Sequence, residues 1–197
     1  MTTLTSPHDL LAAIPFLIGY HPTDSLVLVS LQDGVVGMAM RVDYPRKSER
    51  ADYASACDLL VSHLAREGAD GALIVAYSPN ERDDGVEILS EISASLARVK
   101  ISLQESLLIN QNRWRSVLCT DRDCCPPLGR ELPEITASRI AVEQVAEGRP
   151  MPFSDLAGMS GSISSLPLSE DEGFRASVIK YHAESVEGFH SPLLRDI

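Results

Sequence analysis

The string Cys119-Thr-Asp-Arg-Asp-Cys124-Cys125-Pro-Pro is the densest concentration of reactive side chains in the sequence. Thiolates are both soft metal ligands and nucleophiles, so three of them this close admit several chemistries. With a fourth donor such as His21 or Asp121 they would hold zinc, although structural zinc sites are usually built from two separated pairs and this is one cluster. Cys119 could instead join Cys124 or Cys125 in a reversible disulfide, because a loop of about five or six residues closes without strain. The third reading is that the thiols are packing groups in a tight Pro-Pro turn. The sequence leaves all three open.

A second group surrounds Asp33-Gly34, a hairpin turn signal between two runs of strand character, Ser25 to Leu31 and Val35 to Val42. If the turn has two residues, Gln32 faces Val35. Counting outward then puts Leu26 opposite Arg41, Ser25 opposite Val42 and Asp24 opposite Asp43. Two carboxylates meeting across a ladder repel, so this register calls for a positive neighbour, whether Arg41, His21 or a bound cation. The plainer reading makes Asp24 and Asp43 turn residues facing water, and His21, next to Pro22, a hydrogen-bonded turn residue rather than an acid or base. His21, Asp24 and Ser25 lie too close in sequence for triad geometry, so a serine hydrolase is not proposed.

A second hairpin, turning at Asn110 to Asn112, leads into the cysteine string and brings Trp114 opposite Ile109, with Arg113 and Arg115 on the other face. Trp114 is expected to pack in the core. Arg113 offers a bidentate fork for a carboxylate or phosphate.

The elements that must position these groups follow from periodicity. Ser6-Pro7 starts a helix that Pro15 is expected to end or kink; Ser48 caps another reaching about Glu67, with Cys57 on its apolar face and Gly68 as its stop. Gly71 to Tyr77 is a buried strand, Pro79 to Gly85 a polar loop, and Val86, Leu89, Ile92 and Leu96 mark a further helix. A strand runs from about Val99 to Ile109, and Ile135 to Glu147 reads as helical. The order αββαβαββα predicts an α/β fold: a mixed β-sheet with two β-hairpins, covered by helices. Residues 1–150 are expected to form one domain. Residues 151–197 read as a Ser-, Gly- and Pro-rich extension with a helix at Glu170 to Val186, packed on the core or on a partner, so a homo-oligomer is one expected assembly.

Composition narrows the function classes. A net charge of −11, with no basic cluster larger than Arg46, Lys47 and Arg50, repels a phosphate backbone, so no nucleic-acid partner is expected. The apolar runs are too short for a membrane span and Met1 to Asp9 does not read as a secretory signal; the expected location is cytoplasmic, with reduced cysteines. No phosphate-binding glycine loop, HExxH or complete dinucleotide fingerprint is present.

Four separated segments also carry a resemblance: Ile14-Pro-Phe-Leu-Ile-Gly-Tyr-His21-Pro-Thr-Asp24-Ser25-Leu26, Arg41-Val-Asp43, Arg113-Trp114-Arg115-Ser116, and Cys119 with Cys124-Cys125-Pro126 and Gly129. In this order, over roughly Pro7 to Ala146, they resemble the bacterial family catalogued as domain of unknown function 4192, seen mainly in actinomycete-type bacteria. The resemblance implies no activity, substrate or cofactor. The residues themselves favour a noncatalytic small-ligand-binding or protein-interaction domain, with Arg41, Arg113 and His21 around an anionic ligand or a peptide. The alternative is a hydrolase or transferase using Asp24 or Asp43 with Cys119, or a cysteine-based zinc or redox site.

Overall fold

The computed structural model describes residues 4–45, 53–79 and 85–163. Within them, helix α1 (Pro7–Ile18) is followed by strands β1 (Ser25–Gln32) and β2 (Val35–Asp43), helix α2 (Tyr53–Arg66), β3 (Gly71–Tyr77), α3 (Val86–Arg98), β4 (Ser102–Asn110), β5 (Arg113–Ser116), β6 (Arg130–Glu131), α4 (Arg139–Ala146) and α5 (Leu156–Ile163). The strands form one mixed sheet in the order β2-β1-β3-β4-β5-β6. Of the paired strands only β3 and β4 are parallel, and α3 supplies the crossover connection that parallel neighbours need. The expected α/β architecture with two hairpins is what forms.

Alternation along the central strands divides the interior into two layers. Leu26 and Leu28 of β1, with Ala72, Ile74 and Ala76 of β3, face Cys57, Val61 and Leu64 of α2 and Leu89, Ile92 and Leu96 of α3. Val27, Val29, Val75, Leu107 and Ile109 face the other way, against Leu10, Leu11 and Ile14 of α1. Helix α4 packs on α1 through Ile140, Ala12 and Ala13. Each fully buried Leu or Ile contributes about 1.5–3 kcal/mol, so both faces of the sheet are held against helices by apolar burial. Cys57 is a core residue, as expected, and burial pushes its thiol up to about 11, with the carboxylates of Glu91 and Asp58 adding to the shift.

Both hairpin turns take the left-handed conformation at two successive residues, Asp33-Gly34 (φ 50° and 75°) and Gln111-Asn112 (φ 48° and 58°). This is the conformation that matches strand twist in a two-residue loop.

Three expectations are corrected. Of the two outcomes expected of Pro15, ending α1 is the one overturned: the helix continues to Ile18 and stops where Gly19, at φ 89°, donates its N–H to the Pro15 carbonyl. Lying in the last turn, Pro15 removes only one helical hydrogen bond. Helix α4 starts at Arg139 rather than Ile135, because the Ser138 side chain accepts from the Ala141 N–H and caps it there.

The third correction concerns the first hairpin. Gln32 does face Val35, but the pairing jumps between Val29↔Ala39 and Leu31↔Val36, so Gly37 and Met38 together oppose Ser30. Beyond this bulge every partner is displaced by one: Leu26 faces Val42, and Ser25 rather than Asp24 faces Asp43. Burial selects this register, since it turns Met38, Met40 and Val42 toward the α2/α3 layer. The Ser48 cap, the Arg46, Lys47 and Arg50 group, most of the Pro79–Gly85 loop and the helix at Glu170 to Val186 lie outside the described residues. Among the described residues no helix is long and apolar enough to cross a membrane.

Candidate functional site

The ladders place Asp43, Ser25, Tyr77, Ile109 and Trp114 in one row across the sheet. Just beyond this row the parallel strands β3 and β4 end, and a cleft of about 260 Å³ opens there. Its wall comes from Pro15 of α1, His21 to Asp24 of the α1–β1 connection, Tyr77 and Ser78, the β4–β5 turn, and Leu132 and Ile135. Side chains leaving the carboxyl ends of parallel strands diverge into their connecting loops. That is why ligands of open α/β sheets collect at this edge.

Two features of the α1–β1 connection shape the cleft. Phe153 donates its N–H to the Gly19 carbonyl and accepts from the His21 N–H at 3.0 Å, which clamps the backbone on either side of Tyr20. Asp24 then adopts φ 46°, an uncommon conformation outside glycine that Asp tolerates better than most residues. Its carbonyl accepts from the Tyr44 N–H at 2.8 Å, while the fully buried Ser25 hydroxyl donates to the Thr23 carbonyl. Ser25 is therefore a structural tie within the turn. Asp24 projects into the cleft with no hydrogen bond to its carboxylate among the described residues.

His21 likewise makes no side-chain hydrogen bond among the described residues, and burial holds its imidazole below the ordinary value of 6.5. Burial also raises the Tyr77 phenol, so Tyr77 is a neutral donor or acceptor at the cleft wall. Because the unfolded chain binds a proton on His21 more readily than the folded one, this group's contribution is complete above about pH 6.5 and declines as pH falls toward the folded value. We expect His21→Asn to flatten that component of stability, measured as the urea midpoint from about pH 8 to about pH 5. An unchanged slope would mean that the imidazole is as solvated in the fold as outside it.

The arginines expected in a ligand site are engaged elsewhere. Arg41, opposite Val27, ion-pairs with the exposed Asp43 at 2.5 Å on β2. Its Nε is buried without a partner among the described residues. Arg113 donates through Nε to the Leu128 and Gly129 carbonyls at 2.9 and 3.1 Å, and through a terminal nitrogen to Gly129 at 2.7 Å. Trp114 faces Ile109 as expected, is buried, and meets the His8 ring edge-on at 5.0 Å. None of these residues lines the cleft. Of Asp24, Asp43 and Cys119, only Asp24 lines the cleft.

Cys119, Cys124 and Cys125 form a separate group, and all are free thiols whose sulfurs lie within 4.8 Å of one another. Neither expected fourth donor joins them. His21 is in the cleft, and Asp121 Oδ1 accepts from the Asp123 and Cys124 N–H groups at 2.9 and 3.3 Å, shaping the turn. Cys125 is raised, chiefly by burial; a hydrogen bond from the Ser116 backbone opposes the rise, and the neighbouring Cys119 adds to it.

Sequence reasoning missed Tyr77, Asn110, Gln111 and Asn112 as cleft residues. The signal was present: both parallel strands terminate at them, and the carboxyl edge of such strands is where a site is expected. No curated protein matches the chain. A family model described as "Domain of unknown function (DUF4192)" matches residues 7–179, most of the sequence, and the chain belongs to that family.

Proposed function

We propose that the domain is a noncatalytic binding module whose cleft takes a small molecule with a positively charged or hydrogen-bond-donating head and a compact apolar body. The observation that carries this reading is the position of Asp24: it is the one charged side chain, apart from the largely neutral His21, among the described residues lining the cleft. The left-handed backbone at Asp24 holds its carboxylate at the cleft mouth, exposed to solvent and not tied to another described residue, where it can meet a cationic or donating head. Pro15, Pro22, Ile109, Leu132 and Ile135 supply the apolar walls, and Thr23, Tyr77 and Asn112 offer uncharged polar groups. With Arg41 and Arg113 committed elsewhere, the cleft suits an organic ammonium or amide rather than the anion that the arginines suggested. No thiol lines it, so the Cys119 nucleophile of the alternative reading is not in the cleft.

The test is thermal melting across a panel of small amines, amides and carboxylates. A ligand present at about 100 times its Kd adds about 2.7 kcal/mol, which for a domain of this size raises Tm by roughly 5–10 °C. We expect amines or amides to do so and Asp24→Asn to abolish the shift while keeping the ligand-free Tm, since Asn accepts the same backbone conformation. Shifts given only by carboxylates, and unaltered in Asp24→Asn, would overturn the reading.

A further inference from the structure

Three thiols can gather because a loop is crowded, or because they serve one ion. The loop from Cys119 to Gly129 is held from several directions. The Cys119 N–H donates to the Ser116 hydroxyl at 3.2 Å, and that hydroxyl donates to Glu105 Oε1 at 2.7 Å, anchoring the loop's entry to β4. The Cys125 N–H donates to the Asp121 carbonyl at 2.7 Å, closing a turn around the Asp121 side chain. Arg130 donates to the carbonyls of Cys124 and Asp123 at 2.6 and 3.2 Å, and Arg113 to those of Leu128 and Gly129. These bonds fix the backbone on both sides of the vicinal pair. The sulfurs themselves make weak contacts, Cys119 Sγ to the Asp121 carbonyl at 3.9 Å and the Ser116 backbone to Cys125.

We propose that Cys119, Cys124 and Cys125 form a binding site for a thiophilic divalent ion such as Zn2+, with three protein thiolates and a fourth position open to solvent. Zinc–sulfur bonds of about 2.3 Å in a tetrahedron set the sulfurs roughly 3.8 Å apart. The observed limit of 4.8 Å is within about half an ångström of movement per sulfur from that arrangement. A disulfide instead needs two sulfurs at about 2.05 Å and leaves the third without a role. Binding replaces three S–H bonds with three metal–sulfur bonds and releases three protons to solvent, leaving a site of charge −1. Arg130, anchored on the carbonyls of Cys124 and Asp123, sets a cation beside that charge.

The fourth position follows from what surrounds the cluster. No described His, Asp or Glu has a ligand atom in the group, and Asp121 Oδ1 is taken by two N–H groups. Cys124 is exposed, so the face it presents is reachable by water. Three protein ligands and one exchangeable position characterise zinc sites that bind or activate a ligand rather than sites that only staple a fold. This site is independent of the cleft; either can fail without the other.

The experiment is titration of the reduced 197-residue chain with Co2+ and then Zn2+ under anaerobic conditions. We expect one equivalent of Co2+ to give the intense visible bands of tetrahedral coordination and thiolate charge-transfer bands, both removed by Zn2+. Cys119→Ser, Cys124→Ser and Cys125→Ser should each weaken binding by more than about 100-fold, beyond what loss of an outer contact costs, whereas Cys57→Ala should keep the stoichiometry. Added imidazole should alter the cobalt spectrum by entering the open position. Each variant's melting curve establishes that it is folded, so a loss of binding reads the ligand set. Octahedral cobalt spectra, binding that survives any of the three single substitutions, or a Cys119 disulfide formed in preference to metal uptake would overturn the proposal.

Discussion

Gly129→Ala should destabilise the domain by about 3 kcal/mol, the sum of a left-handed backbone penalty and an overpacking cost. Gly129 sits at φ 73°, and a Cβ built on it would lie 2.8 Å from the Trp114 carbonyl oxygen and 3.2 Å from its carbon. Those atoms belong to the backbone of β5 and cannot rotate away as a side-chain tip would. The loop must therefore shift, and the Gly129 carbonyl, which takes two of the three hydrogen bonds from Arg113, shifts with it. Gly148→Ala isolates the two terms: it has φ 83° but nothing within 4 Å of the added carbon, so it should cost only about 1 kcal/mol. Urea midpoints at constant m-value give both numbers. Equal costs for the two variants would show that the contact with Trp114 is not as tight as described.

Much of this architecture was legible in the chain because one-dimensional periodicity reports burial. Gly71–Tyr77 was read at its observed bounds since every second residue faces one of two apolar layers, and Trp114 opposite Ile109 followed from counting across a two-residue turn. What stayed hidden was whatever depends on a partner distant in sequence. Nothing near Arg113 announces that its fork is committed to the carbonyls of Leu128 and Gly129, fifteen and sixteen residues onward, so it read as a ligand-binding group. Tyr77 passed for an ordinary strand residue, because its place at the cleft depends on β4 ending beside it. The cysteines fall between these cases. Their proximity is plain from spacing, but the bonds by which Arg130 and Asp121 fix the loop around them depend on contacts that spacing does not show.

The bulge at Ser30 is the sharpest instance, and it makes a quantitative prediction. Ser30 is buried; its hydroxyl accepts from the Met38 N–H at 2.7 Å and lies 3.3 Å from the Met38 carbonyl, so it serves backbone groups that regular pairing would have satisfied. Ser30→Ala leaves a largely buried N–H without an acceptor, at about 2 kcal/mol. Gly37→Ala should cost about as much by a different route. Its φ is not left-handed, but the new Cβ would stand 2.7 Å from the Ser30 oxygen and push that hydroxyl off Met38. Once Ser30 is Ala the obstructing oxygen is gone and the hydrogen bond already lost. The double variant should then be no less stable than Ser30→Ala alone, a coupling of about 2 kcal/mol. Strictly additive losses would separate the glycine from the serine and leave the bulge, with the register that carries Ser25 to Asp43, resting on the burial of Met38, Met40 and Val42 instead.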